Sequence, residues 1–372
     1  MRADLGPVIA NLGFLAVGVA ILLATRLVRW SPREVLAALG LGYLAGVAAV
    51  ILALIALTCA GVPFTLQTIA GTMVLLTAAG LAVGWRRRRT GGRETAAPAA
   101  RLDRWLVGVF LALFAVFVIV GALRASRQPL SDWDAWAIWT PKAIGLVQSD
   151  ELVLGTFASP AYTFRHPDYP ILLPVFEAVH FRAMGGVDTQ AIHTQLWLLL
   201  AAAGAVVLGS RLPERRTPLA LALAGFVAAQ LPWQIWTAAH GIEGDLTLSK
   251  ALDPGFLIDR SGRVWPAIEA LELQLADQGR WTLIVPAGLA LAVLGFVLRR
   301  GRGLATFYLA SGLLVFASLV WAYWISPYEL QWHLRTSVGR VVTVVVVIAM
   351  TAALHLPALL SRRVRPGRSE PA

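Results

Sequence analysis

Charge is what this sequence lacks. Only 14% of its 372 residues are Asp, Glu, Lys or Arg, while 58% are hydrophobic. Soluble domains carry about 25% charged and about 45–50% apolar residues, so a water-soluble fold is excluded. Cysteine is nearly absent. Cys59 stands alone, which excludes an intramolecular disulfide and leaves any external loop to be held by packing. Histidines are few, and His193, His240 and His355 are scattered without ligand-like spacing, as structural residues are. Acids are outnumbered, 21 against 32 Lys and Arg. That imbalance invites a nucleic-acid partner, but its distribution argues against one.

What is present is a series of apolar runs, each near the roughly 20 residues that cross a bilayer. Nine are expected, near 8–28, 37–60, 65–84, 105–124, 191–209, 217–233, 280–298, 304–324 and 339–360. The first has neither a strong basic flank nor a small-residue cleavage site, so it is expected to stay as an anchor. Arginines gather in alternate loops: Arg86 to Arg89, Arg93, Arg101 and Arg104, then Arg211, Arg215 and Arg216, then Arg299, Arg300 and Arg302, then the tail. This is the positive-inside pattern. It predicts an outer amino terminus, a cytoplasmic carboxyl terminus and a multi-pass protein of a bacterial cytoplasmic membrane. The expected organisation is a three-helix block at 1–84, a basic linker at 85–104, a membrane core at 105–360 with external loops 125–190, 234–279 and 325–338, and a basic tail at 361–372.

Three clusters carry chemistry-bearing residues. The first is SDWDAWAIWTPKA, residues 131–143, with Asp132, Asp134, three tryptophans and Lys142 directly after an apolar run. Trp favours the membrane interface, and charge beside hydrocarbon is costly unless solvated or used. Helical spacing over 132–148 puts Asp132, Trp136 and Trp139 on one face and separates Asp132 from Asp134. An extended backbone would instead turn both acids to one side, where they could share a divalent cation; otherwise no cofactor is expected. Capping of the helix start is the plain alternative. The second cluster is Arg165-His166-Pro167-Asp168-Tyr169-Pro170, a cation, imidazole, acid and phenol between prolines. A short helix over about 172–184, ended by Gly185-Gly186, is expected to follow. The third is SPYELQWHLRTSVGR from Ser326. On a helix its Glu329, His333, Thr336 and Arg340 stack on one stripe, and Arg335 and Arg340 suit a phosphate. Interfacial snorkelling of the arginines is the simpler reading. An amphipathic helix is also expected over 264–278.

DWDAWAIWTPKA, HPDYPILLP, PWQIW and HLRTSVGR together resemble bacterial membrane glycosyltransferases of the GT-C fold, relatives of the protein mannosyltransferase and lipid A aminoarabinose transferase enzymes. The likeness covers roughly residues 105–345, and only six expected spans follow residue 104, so this would be a shortened member. The resemblance implies an all-α polytopic fold and sugar transfer from a polyprenyl-phosphate donor to a hydroxyl on a cell-envelope glycan, lipid or protein. It implies Asp134 as the base with Asp132 as alternate, and His333, Arg335 and Arg340 on the donor phosphate. Lys142, Arg165, His166, Asp168 and Tyr169 would line the substrate pocket. An inactive relative that binds a polyprenyl lipid or a partner enzyme is the rival expectation. A transporter is a third, disfavoured because ionisable residues collect at the rim and not within the spans.

Overall fold

In the computed structural model, residues 5–25, 35–90, 104–130, 134–152, 166–209, 231–242, 251–299 and 302–360 are described. Among them every regular element is helical. Five helical segments are long and apolar enough to cross a membrane: Leu5–Thr25, Val35–Cys59, Leu66–Arg86, Arg302–Ile325 and Leu330–Pro357. Two more apolar helices, Phe114–Ala125 and Ile284–Val297, are shorter. The chain divides into two compact units, Met1–Gly244 and Asp245–Ala372. The three-helix block expected at 1–84 shares the first unit with the acidic cluster and its neighbours.

In the first unit, α1 (Leu5–Thr25) lies against α2 (Val35–Cys59) and α3 (Leu66–Thr90). Glycine makes the first contact possible. A Cβ on Gly18 would strike the Gly42 carbonyl, and one on Gly46 the Phe14 carbonyl. Gly42 and Gly46 are four apart, the small-residue spacing that lets membrane helices approach closely. Next come α4 (Arg104–Ala125), a π-helical turn (Asp134–Trp139), α5 (Thr140–Ser149), α6 (Leu172–Met184) and α7 (Thr189–Gly209). The α6 bounds match expectation. Gly185, at φ 78°, closes the helix, and the Gly185 and Gly186 amides both donate to the Phe181 carbonyl at 3.0 and 3.1 Å.

α6 packs on α1, α2 and α5. Phe176 and Phe181 join Phe14, Ile51, Leu54 and Phe64 in one core. Arg182 pairs with Asp150, its Nε donates to the Phe64 carbonyl at 3.2 Å, and the Phe64 amide donates to the Asp150 carbonyl at 2.7 Å. This ties the turn between α2 and α3 to the ends of α5 and α6 without a disulfide.

The second unit holds α8 (Pro254–Asp259), α9 (Val264–Leu275), α10 (Gln278–Trp281), α11 (Ile284–Val297), α12 (Arg302–Ile325), α13 (Leu330–Val341) and α14 (Thr343–Leu360). α9 is amphipathic as expected: Ala267 and Leu271 are buried against Tyr323, Leu334 and Val338, while Glu269 and Glu272 are exposed. The loop expected at 325–338 is largely helix. The Glu329 carboxylate accepts the Gln331 and Trp332 amides at 2.9 and 2.5 Å, and that N-cap starts α13 at Leu330.

Candidate functional site

The acidic cluster begins with Asp134 at the first position of the π-helical turn. Asp132 lies outside the described residues. The α-helical spacing expected over 132–148 fails here, because a π turn closes i→i+5 bonds and advances each residue by less than 100°. Trp136 and Trp139 accordingly part: Trp136 is 50% exposed, while Trp139 turns inward onto Tyr169 at 5.8 Å between ring centroids. π-turns inside helices often mark functional sites.

Lys142 follows on α5 and is buried. Its ammonium donates to the His166 carbonyl at 2.5 Å and sits 5.5 Å from the Trp139 ring and 5.9 Å from the Tyr169 ring. Burial pushes its pKa down to about 8, and the nearby Asp168 charge opposes that fall.

The residues received by Lys142 form a tight turn. The Tyr169 amide donates to the His166 carbonyl at 3.1 Å across Pro167 and Asp168, with Pro167 at the turn position that fixed φ favours. His166 has φ 49°, left-handed for a non-glycine residue. A residue before proline normally takes an extended backbone, so local strain is held by the surroundings. The His166 and Tyr169 rings stack at 4.4 Å and 17°. Trp233 then donates from its indole to the Asp168 carbonyl at 2.9 Å and stacks on Trp236 at 5.1 Å. Lys142, His166, Asp168 and Tyr169 adjoin one another. Arg165 lies outside the described residues.

Glu177 and His180 belong to no sequence motif that marks a site, yet they are buried beside this cluster's helices, as is Thr140. Glu177 is 1% exposed on α6; neither carboxylate oxygen has a hydrogen-bond partner of good geometry, and Thr140 of α5 is its polar neighbour. Burial raises its pKa to about 8, so it holds a proton at neutral pH. His180, one turn on, is 0% exposed, donates from Nδ1 to the Phe176 carbonyl at 2.9 Å, and has its pKa lowered by burial to about 4. Its Nε2 faces the Asn11 amide at 3.4 Å. Asn11 also meets Gln195 at 2.6 Å and accepts from the Tyr43 hydroxyl at 2.7 Å. Asn11 and Tyr43 of the three-helix block thus meet His180 and Gln195 in a polar junction between α1, α2, α6 and α7. Only the burial of Glu177 and His180 is signalled locally: LLPVFEAVHFRAM carries apolar residues on every side, and a helix of that kind is buried.

In the second unit, His333 is half-buried, with Nδ1 against the Ser326 hydroxyl at 2.8 Å and its ring against Tyr323 at 4.8 Å. Arg335 and Arg340 are exposed on α13. The expected stripe of four divides in use: Glu329 caps the helix, His333 turns inward, and Thr336 and Arg340 face outward. Two arginines not singled out from the sequence meet here. Arg260 and Arg263 both donate to the Ser326 carbonyl, and Arg263 also reaches the Tyr328 carbonyl at 2.6 Å. Burial and the Arg260 charge lower the Arg263 pKa, and Glu329 partly offsets them.

Among the described residues, no group of three or more His, Cys, Asp and Glu side chains is placed to hold a metal ion. The histidines read as structural are hydrogen-bonded: His193 to the Gln128 carbonyl at 2.8 Å, His240 to the Trp236 carbonyl at 2.8 Å, and His355 to the Tyr308 hydroxyl at 2.7 Å. Among the described residues the protein is an all-helical membrane protein with a polar, aromatic-walled cluster in its first unit. No protein family, curated protein or solved structure matches the chain.

Proposed function

We propose that this protein is a GT-C-like glycosyltransferase that moves a sugar from a polyprenyl-phosphate donor to a hydroxyl acceptor at the outer face of a bacterial cytoplasmic membrane. One observation carries the reading. Two of the four sequence segments behind the resemblance meet on a third: Trp139 and Lys142 from the first and Trp233 from the third all contact the His166, Asp168 and Tyr169 turn of the second. Aromatic rings suit the C–H faces of a pyranose, and Lys142 and Asp168 offer polar partners for its hydroxyls. The proposal includes nine spans, an outer amino terminus and a shortened core.

In the proposed reaction, Asp134 takes the proton of the acceptor hydroxyl as its oxygen attacks the anomeric carbon. The bond from that carbon to the donor phosphate breaks with inversion, and polyprenyl phosphate leaves. The resemblance assigns His333, Arg335 and Arg340 to the donor phosphate, whose developing charge such cations would offset. Asp132 is the alternate base.

The test is the initial rate of sugar transfer by the full chain with Asp134→Asn and Asp132→Asn made separately. Loss of a general base costs about 10²–10⁴-fold, and one of the two should show it. Full activity in both removes the assigned base. A binding-only relative is the second reading, favoured by the internal use of the Lys142 ammonium and the Glu329 carboxylate. It predicts that the chain holds the polyprenyl lipid and releases no sugar.

A further inference from the structure

The outer-loop end of α4 carries a feature that sugar transfer does not use. An open groove of about 360 Å³ is lined by Val120, Leu123, Arg124, Arg127 and Gln128. Its composition changes along one helix face. Val116, Val120 and Leu123 are 57, 58 and 52% exposed. Arg124 and Arg127 follow at four-residue spacing from Val120 and Leu123, and both are exposed. The face runs from hydrocarbon-compatible to cationic over two turns.

Among the described residues this face stays open, with Val116, Val120 and Leu123 each more than half exposed. α4 meets α7 through another side: the Trp197 indole donates to the Val118 carbonyl at 3.1 Å, and its ring packs on Phe117 at 4.7 Å. Among the described residues neither Arg124 nor Arg127 forms an ion pair. The turn that carries Arg127 is held in place, with Gln190 donating to the Ser126 carbonyl and His193 meeting the Gln128 carbonyl at 2.8 Å. A helix dipole accounts for one cation in the last turn, but Arg127 lies beyond the helix. In sequence, α4 follows a basic run that includes Arg86 to Arg89, Arg93 and Arg101, and it begins at Arg104. Arg124 and Arg127 at the opposite end run against the charge asymmetry that orients a span, and together they present two exposed cations at the groove.

We infer that this groove seats an anionic phospholipid, its phosphate on Arg124 and Arg127 and its acyl chain along Val116, Val120 and Leu123. Arginine pairs with phosphate through bidentate bonds. The exposed apolar strip below the cations distinguishes a lipid from a free anion. The inference rests on the membrane character of the chain and on no catalytic step.

Native mass spectrometry of the full chain in detergent tests it, with phosphatidylglycerol and phosphatidylcholine offered at equal concentration. The natural chain should retain phosphatidylglycerol about tenfold better, given the attraction of basic side chains for anionic lipid. Arg124→Gln/Arg127→Gln should remove the preference while its melting temperature stays close to that of the natural chain. Arg124→Lys/Arg127→Lys should keep most of it. Equal retention of the two lipids by the natural chain, or an unchanged preference in the Gln variant, overturns the site. Displacement of the lipid by millimolar inorganic phosphate overturns the lipid as occupant.

Discussion

Glu177 and His180 stand three residues apart on α6, both buried and both shifted toward their neutral forms. Their pH dependences have opposite signs. Glu177 binds its proton more tightly when folded, so its stabilising share is full below pH 4.5 and is lost as pH rises through about 8. His180 resists protonation when folded, so its share is full above pH 6.5 and is lost as pH falls through about 4. Between pH 6.5 and 8 Glu177 acts without His180, with a slope of about 1.4 kcal/mol per pH unit for one proton. Glu177→Gln should flatten melting temperature against pH in that window and raise it above pH 8. An unchanged profile would show that the carboxyl is solvated. Lys142 gives a second prediction. Its charge is lost near pH 8, and Asp168 supports it. The alkaline limb of donor binding should fall near that pH, and Asp168→Asn should move the limb to lower pH. A limb that stays in place would separate Asp168 from Lys142.

At the scale of elements, small residues and caps decide more than hydrophobicity does. Gly46→Val drives a side chain into the Phe14 carbonyl and should lower stability by about 1–3 kcal/mol or more in thermal unfolding. Gly71 on α3 has open space around its Cβ position, so Gly71→Ala should be neutral or stabilising by up to about 1 kcal/mol. Glu329→Ala removes the acceptor for the Gln331 and Trp332 amides. Hydrogen exchange should rise at those two amides and leave the middle of α13 protected. Apolar runs and glycine stops made α1, α2, α6 and α12 legible in the sequence. The HPDYP turn was legible too, because its prolines limit the backbone. The π turn at Asp134–Trp139 was not, since its register departs from the α period by which residues 132–148 were phased. The Asn11–Tyr43–His180–Gln195 junction and the meeting of Arg260 and Arg263 on Ser326 were not legible either. They join residues 32 to 184 positions apart, and no local pattern encodes such pairings.

For the whole molecule, the helices supply a membrane scaffold, and the first unit collects polar and aromatic side chains from separated segments. Lys142, His166, Asp168, Tyr169 and Trp233 meet although they come from three stretches of chain. Acceptor binding, proton removal by Asp134 and departure of polyprenyl phosphate form the proposed sequence of events. The most direct measurement is release of free polyprenyl phosphate by the full chain in vesicles supplied with a polyprenyl-phosphate sugar and an acceptor. One polyprenyl phosphate released for each sugar transferred, with the rate lowered about 10²-fold or more by Asp134→Asn, is the predicted result. Retention of intact donor with no release, in vesicles where the chain binds that donor, would contradict it.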